Sequence, residues 1–152
     1  MYMESKTNKI VPFLWFNANA ADAARYYCGI FPNAHIKSEN PQSANFELDG
    51  QEFIAFNGGP MYQFNEASSW MIRCHDQKEV DYYWERLVEG GTPSRCGWLK
   101  DKFGMSWQVA PVQLKALLAH PNPIKAQKAF QAMMKMQKLD IALLEAAVED
   151  EA

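Results

Sequence analysis

Short apolar runs and one amphipathic stripe alternate along the first 57 residues. The predicted elements are a strand over 10–16, a helix from Ala20 to Phe31, and strands over 34–39, 43–49 and 51–57. Asn17 or Asn19 is expected to cap the helix, and Asp49-Gly50 is a strong hairpin signal between the last two strands. The pattern therefore predicts a βαβββ module over residues 10–57.

The same order returns after a segment without periodicity. Gly58-Gly59-Pro60 opens this linker, which covers residues 58–67. The elements that follow are a strand over 68–74, a helix that begins after Asp76 and ends at Gly90-Gly91, and strands over 92–96, 98–102 and 105–110. Residues 68–110 are thus a second βαβββ module, and the chain contains an internal repeat.

Two such modules define an α+β fold. Since one copy of a repeated unit rarely buries its apolar face alone, we expect the two modules to pair into a curved mixed sheet around a cleft. A polar lead precedes them over residues 1–9, and a helical tail follows over residues 111–152. Short helices are predicted over 112–118 and 124–138, with a third that Asp140 caps.

Composition and charge limit the possible partners. The net charge is -3 and the 15 Lys and Arg residues are scattered, which argues against a nucleic-acid partner. No apolar run approaches the ~20 residues that span a bilayer, and the start of the chain does not resemble a signal peptide. We therefore expect a cytoplasmic protein without a membrane partner, and its three cysteines are expected to be reduced thiols.

The stretch from Cys96 to Gln108 carries the most informative alternation. It predicts two strands joined by a tight turn at Lys102-Phe103-Gly104. Ser106 and Gln108 then share one face of the last strand, while the apolar side chains between them point the other way. We expect the polar face to belong to the functional site.

Six residues are candidates for ligand binding. Gln108 is the first of them because an inward amide needs a partner, which is a neighbour, a water or a ligand. The rings of Trp15 and Trp98 are either core anchors or a wall on which a flat ligand stacks. Lys100 and Asp101, beside the turn, either orient a ligand at the rim of the cleft or lie at a solvated hairpin end. The full set is Gln108, Asn57, Ser69, Trp15, Trp98 and Lys100.

Two cysteine patterns are weaker candidates for chemistry. Cys96 is either a nucleophile beside the flexible Gly97 or a reduced cysteine packed at a strand end, and the sequence places no base near it. Cys74-His75-Asp76 contains three metal-capable side chains, but successive strand residues face opposite ways. We interpret Asp76 as a helix cap.

Two strings carry a resemblance to a known superfamily, Cys96-Gly-Trp-Leu-Lys-Asp-Lys-Phe-Gly104 and Phe46-Glu-Leu-Asp-Gly-Gln-Glu-Phe53. With the paired modules, they resemble the vicinal-oxygen-chelate superfamily of glyoxalases, bleomycin-resistance proteins and extradiol dioxygenases, and more narrowly its 3-demethylubiquinone 3-methyltransferase-like branch. The loop around Asn40-Pro41 is shorter than is usual in this branch.

The resemblance implies positions for a metal, on the first and last strand of each module. These positions fall near Pro12, Phe53, Ser69 and Gln108, and only Gln108 offers a useful oxygen. We therefore expect no metal and no other cofactor. A methyl donor normally needs a glycine-rich turn in a doubly wound sheet, and Gly58-Gly59 leads into a loop instead.

Three functional hypotheses follow. The first is a metal-free protein that binds a small molecule in the cleft between the modules. The alternatives are an enzyme of the superfamily with an unusual site, and a structural or regulatory dimer whose cleft is filled by its own side chains. The superfamily commonly forms dimers, and Met133, Met134 and Met136 give the tail an apolar surface that covers the sheet or meets a second chain. We expect a homodimer.

Overall fold

The computed structural model describes residues 8–149 and divides into two compact units, residues 1–63 and 64–152. The parts of the predicted lead and tail at residues 1–7 and 150–152 lie outside the described residues. Each unit is a separate α+β structure and is taken by itself below. The division falls inside the segment 58–67.

The first unit has the predicted βαβββ order. Its elements are β1 (Phe13–Phe16), α1 (Ala20–Cys28), β2 (Ala34–Asn40), β3 (Ser43–Leu48) and β4 (Gln51–Asn57). They form a four-stranded sheet in the order β1-β4-β3-β2, in which β1 and β4 are parallel and the other pairs antiparallel. The buried face of α1, with Tyr27 stacked at 6.3 Å from Phe46, packs on this sheet.

The cap of α1 differs from the prediction. Asn19 occupies the N-cap position, but its side chain makes no capping hydrogen bond. Instead the backbone N–H of Ala20 donates to Oδ1 of Asn57, at 2.8 Å. The helix therefore takes its cap from the end of β4, which ties its first turn to the sheet.

The second unit repeats the module and adds the tail. Its elements are β5 (Ser69–Cys74), α2 (Gln77–Val88), β6 (Thr92–Pro93), β7 (Trp98–Lys100), β8 (Ser106–Pro111), α3 (Gln113–Leu118), α4 (Pro123–Met134) and α5 (Ile141–Glu149). The sheet order is β5-β8-β7-β6, again with one parallel pair, β5 and β8. Asp76 accepts a 2.8 Å hydrogen bond from Glu79 N–H, so the predicted helix cap is confirmed.

Two strands of this unit are shorter than predicted. The predicted strand over 92–96 ends at Pro93 because Cys96 and Gly97 have positive φ values of 60° and 84°. Their backbone N–H groups donate to Met136 and Gln137 in the tail, at 2.9 and 2.8 Å. The predicted strand over 98–102 ends at Lys100 because the tight turn already begins at the next residue.

Part of the tail lines a cavity whose other side is one face of the second sheet. Met133 lines a cavity together with sheet residues, whereas Met134 is 43% exposed. Asp140 caps α5 as predicted, since its Oδ1 accepts from Leu143 N–H at 3.0 Å. Which of its two predicted roles the methionine surface has, covering the sheet or meeting a second chain, stays a prediction.

The α+β class and the two βαβββ modules are confirmed. The pairing of the modules into one curved sheet around a shared cleft stays a prediction. Over residues 8–149, no helix combines the length and apolarity needed to cross a bilayer.

The remote cap of α1 can be tested with two asparagine substitutions. Asn57→Ala is expected to lower the free energy of unfolding by about 1 kcal/mol, because it leaves Ala20 N–H without its acceptor. Urea denaturation followed by circular dichroism measures the change. Asn19→Ala is the matched control and should have a much smaller effect; equal losses in the two variants would contradict the assignment.

Candidate functional site

The sheet of the second unit has two faces with different roles. One face is apolar and packs against α2, whose buried side chains lie opposite it. Ile72, Leu99, Trp107 and Val109 belong to this buried face. Alternation along the strands leaves their neighbours on the other face, where no helix of the βαβββ module lies.

A cavity of about 770 Å³ lies over this other face, within the second unit. Its floor consists of sheet side chains, namely Met71, Arg73, Trp98, Gln108 and Ala110. Its remaining wall includes residues of α3 and α4, among them Leu114, Lys115, Leu118 and Met133. The register aligns Met71, Gln108 and Trp98 in one row across three strands, and Arg73 beside Ala110 in the adjacent row.

Gln108 occupies the centre of this floor. Its Nε2 donates to Ser69 Oγ at 2.9 Å, so the structure brings two of the predicted site residues together. Among the described residues, no donor reaches its Oε1. Trp98, also predicted, lies beside it in the register and lines the cavity. Ser106, by contrast, is buried and does not line the cavity.

Asn57 and Trp15 belong to the first unit and have structural contacts there. Asn57 caps α1, as described above. The Nε1 of Trp15 donates to the carbonyl of Gly59 at 2.9 Å, and its ring lies edge-on to Tyr62 at 5.0 Å. A Cβ on Gly58 would collide with this ring, which explains the glycine. A role for Asn57 and Trp15 in ligand binding stays a prediction.

The residues beside the turn have specific partners. Lys100 forms an ion pair with Glu66, and its hydrogen bond lowers the pKa of the Glu66 carboxyl. Asp101 is only 3% exposed, so both interpretations of it, as a rim residue or as part of a solvated hairpin end, are wrong. Its carboxylate accepts from Phe103 N–H, Met105 N–H and Trp107 Nε1, at 2.8, 3.1 and 2.8 Å.

The cysteines divide into one at the cavity and two elsewhere. Cys96 lines the cavity with its Sγ 3.5 Å from Met134 Sδ. Cys74 is buried, and burial, together with the negative charges of Glu79 and Asp76, raises the pKa of its thiol to about 12. His75, which lies between Cys74 and Asp76 in the sequence, is exposed. The three side chains of Cys74-His75-Asp76 thus have three separate environments.

The positions at which the superfamily holds a metal do not fit one here. Pro12 and Phe53 have no donor atoms, and the Ser69 hydroxyl and Gln108 amide bond to each other. Within residues 8–149, no three His, Cys, Asp or Glu side chains gather in an arrangement that could hold a metal ion.

The charged and helical part of the cavity was not predicted from the sequence. Arg73 and Lys115 line it, as do Leu114 and Leu118 of α3. Alternation in β5 could have indicated Arg73, because it places Arg73 on the same face as Met71. No local signal indicates Lys115, since its position depends on where α3 packs.

The two sheets with their helices have the fold class of a solved glyoxalase-related enzyme. Within this class, a family model described as 3-demethylubiquinone-9 3-methyltransferase matches residues 8–110, more than half of the chain. The chain belongs to that family. Among curated proteins, none matches this sequence.

Solved structures agree with this assignment. A putative 3-demethylubiquinone-9 3-methyltransferase, PhnB protein, from Bacillus cereus is 28% identical with a TM-score of 0.64, over 69% of this chain and 100% of its own. A Pseudomonas aeruginosa protein is 20% identical with a TM-score of 0.56, over 69% and 98%. A glyoxalase-related enzyme from Fulvimarina pelagi is 13% identical with a TM-score of 0.50, over 70% and 91%. The last two support the fold alone.

The buried Asp101 carboxylate should be essential for stability rather than for ligand binding. Asp101→Asn is expected to lower the free energy of unfolding by about 2 kcal/mol, because an amide nitrogen would face N–H donors in a buried site. Denaturation in urea, followed by tryptophan fluorescence, measures the loss. Lys100→Gln removes only an exposed ion pair and should leave the midpoint unchanged. An unchanged midpoint in Asp101→Asn would refute the structural role.

Proposed function

We propose that this protein binds a small, largely apolar organic molecule, without a metal, in the cavity of the second unit. The cavity itself is the observation that carries the proposal. Its volume of about 770 Å³ lies within the usual range for small-molecule sites, and it is bounded by a sheet face and by the chain's own helices.

The lining supports binding of a molecule with an apolar body. Trp98, Met71 and the leucines of α3 offer apolar area, and Trp98 provides a flat ring for stacking. The Oε1 of Gln108 is an acceptor in the middle of the floor, and Nε2 is held by Ser69. This fixed amide favours a ligand that presents an N–H or O–H group to the floor.

Other functions receive less support from these residues. The family description names a methyltransferase, but the two mixed four-stranded sheets differ from the doubly wound sheet that commonly holds a methyl donor. The residues at the superfamily's metal positions do not fit a metal. The open volume favours binding over a site filled by its own side chains.

Filling the cavity from its floor tests the proposal. N-phenyl-1-naphthylamine, an uncharged probe that fluoresces in apolar sites, is expected to bind the native protein. Ala110→Trp should weaken this binding at least about tenfold, since the indole would occupy the space above the floor. Fluorescence titration measures the dissociation constant.

Two further variants make this result interpretable. Ala116→Trp places the same side chain on an exposed position of α3 outside the cavity and should leave binding unchanged. Ala119→Trp narrows the cavity from its helical side, in case a tryptophan in the strand impairs folding. Native-like binding in Ala110→Trp and Ala119→Trp would overturn the proposal.

We also propose that the protein forms a homodimer through its helical tail. Ile124, Phe130 and Leu143 are 64%, 50% and 58% exposed on α4 and α5, and exposed apolar patches mark interaction sites. Sedimentation equilibrium at micromolar concentration should give twice the chain mass of 17.4 kDa. Phe130→Asp should shift the equilibrium towards monomer, whereas Gln127→Asp, an exposed polar position on the same helix, should not. A monomeric native protein would contradict the proposal.

A further inference from the structure

The charged side chains that line the cavity are both cations. Arg73 and Lys115 are present, and no aspartate or glutamate within residues 8–149 lines it. The chain as a whole has more acidic than basic residues, 18 against 15. The local excess of positive charge therefore runs against the overall composition.

Neither cation has an acidic partner among the described residues. Elsewhere in residues 8–149 several cations do form ion pairs, for example Arg25 with Glu39 at 2.9 Å and Lys138 with Asp81 at 2.9 Å. No such pair involves Arg73 or Lys115. Their charges are thus available to a molecule in the cavity.

Both cations lie near the C-terminal ends of the parallel strands β5 and β8. Arg73 is the next-to-last residue of β5 and pairs in register with Ala110, whose small side chain leaves space beside it. Lys115 lies five residues after Ala110 in the chain, as the third residue of the six-residue helix α3. The start of that helix is fixed to the end of β5, because Val112 N–H donates to the carbonyl of Cys74 at 2.8 Å.

The opposite part of the floor is apolar. Met71 and Trp98 lie in the row that contains Gln108, one row away from Arg73 towards the start of β5. The cavity therefore has a cationic end and an apolar, aromatic part, with a polar amide between them. This order of surfaces matches a molecule with an acidic group on an apolar body.

From this arrangement we infer that the ligand is an organic acid, bound as its anion. Arg73 and Lys115 hold the acidic group, and the apolar body of the ligand lies against Trp98 and Met71. A guanidinium can bind a carboxylate or sulfonate through two parallel hydrogen bonds, and an ammonium adds a second charge. The inference rests on the proposed function, since it specifies what the same cavity binds.

Two probes that differ mainly in one acidic group test the inference. 1-Anilinonaphthalene-8-sulfonate carries a sulfonate, and N-phenyl-1-naphthylamine has the same aromatic body without it. Arg73→Gln and Lys115→Gln are each expected to weaken binding of the sulfonate about fivefold, while binding of the neutral probe changes less than about twofold. Arg73→Lys, which keeps the charge, should recover part of the loss.

The matched control is Lys78→Gln. Lys78 is an exposed lysine on α2, which packs on the other face of the sheet, and its removal changes the net charge by the same amount. Binding of the sulfonate to Lys78→Gln should equal that of the native protein. Raising the salt concentration should weaken the sulfonate and not the neutral probe, since partly exposed charges are screened.

The outcomes separate the two proposals. If Ala110→Trp and Ala119→Trp block neither probe, the cavity is not the binding site and the proposed function fails. If they block both probes, but Arg73→Gln and Lys115→Gln affect the sulfonate no more than Lys78→Gln does, the cavity binds ligands and the acid inference is overturned. Lys115 lies on an exposed helix position, so Lys115→Gln remains informative if Arg73→Gln does not fold.

Discussion

The cavity depends on the attachment of the tail to the second sheet. At the start of β7, the N–H groups of Cys96 and Gly97 donate to the carbonyls of Met136 and Gln137. The positive φ of Gly97 and its close neighbours restrict this position to glycine, because a Cβ would lie 2.8 Å from the Val109 carbonyl oxygen. Without these bonds the segment after α4 would lose its backbone connection to the sheet. Met133 would then no longer be held in the wall of the cavity.

The register of β8 decides which side chains the cavity receives. Asp101 controls this register, since its carboxylate binds the N–H groups of the turn and the indole of Trp107 together. Trp107 then points to the buried face, and the next residue, Gln108, points to the cavity. A slip of one residue would exchange the two faces, so a buried carboxylate that does not line the cavity still determines the composition of the site.

Local signals explain what the sequence predicted well. Asp76 lies three residues before Glu79, and this short spacing is enough to identify the cap of α2. The cap of α1 comes from Asn57, 37 residues along the chain, and no local pattern indicates it. The shortened strand at Pro93 has the same origin, because the partners of Cys96 and Gly97 are in the tail.

The candidate site was predictable only in part for similar reasons. Alternation in β8 indicated Gln108, and Trp98 follows from the neighbouring strand, but the wall formed by α3 depends on tertiary packing. Asp101 was not predictable for a different reason. A charged residue next to a turn is usually exposed, whereas Asp101 is buried and its carboxylate accepts hydrogen bonds from the turn and from Trp107.

Charge near the cavity has a consequence for selectivity. The net charge of -3 disfavours the approach of an anion from a distance, but this repulsion is weak beyond about 10 Å at ordinary salt concentrations. Arg73 and Lys115 act at contact distance, where apolar walls on one side reduce the screening by water. The inferred binding mode therefore relies on contact rather than on long-range attraction. In the inferred binding mode, an acid without an apolar body gains little from the floor, and an apolar molecule without an acid leaves both cations to the solvent.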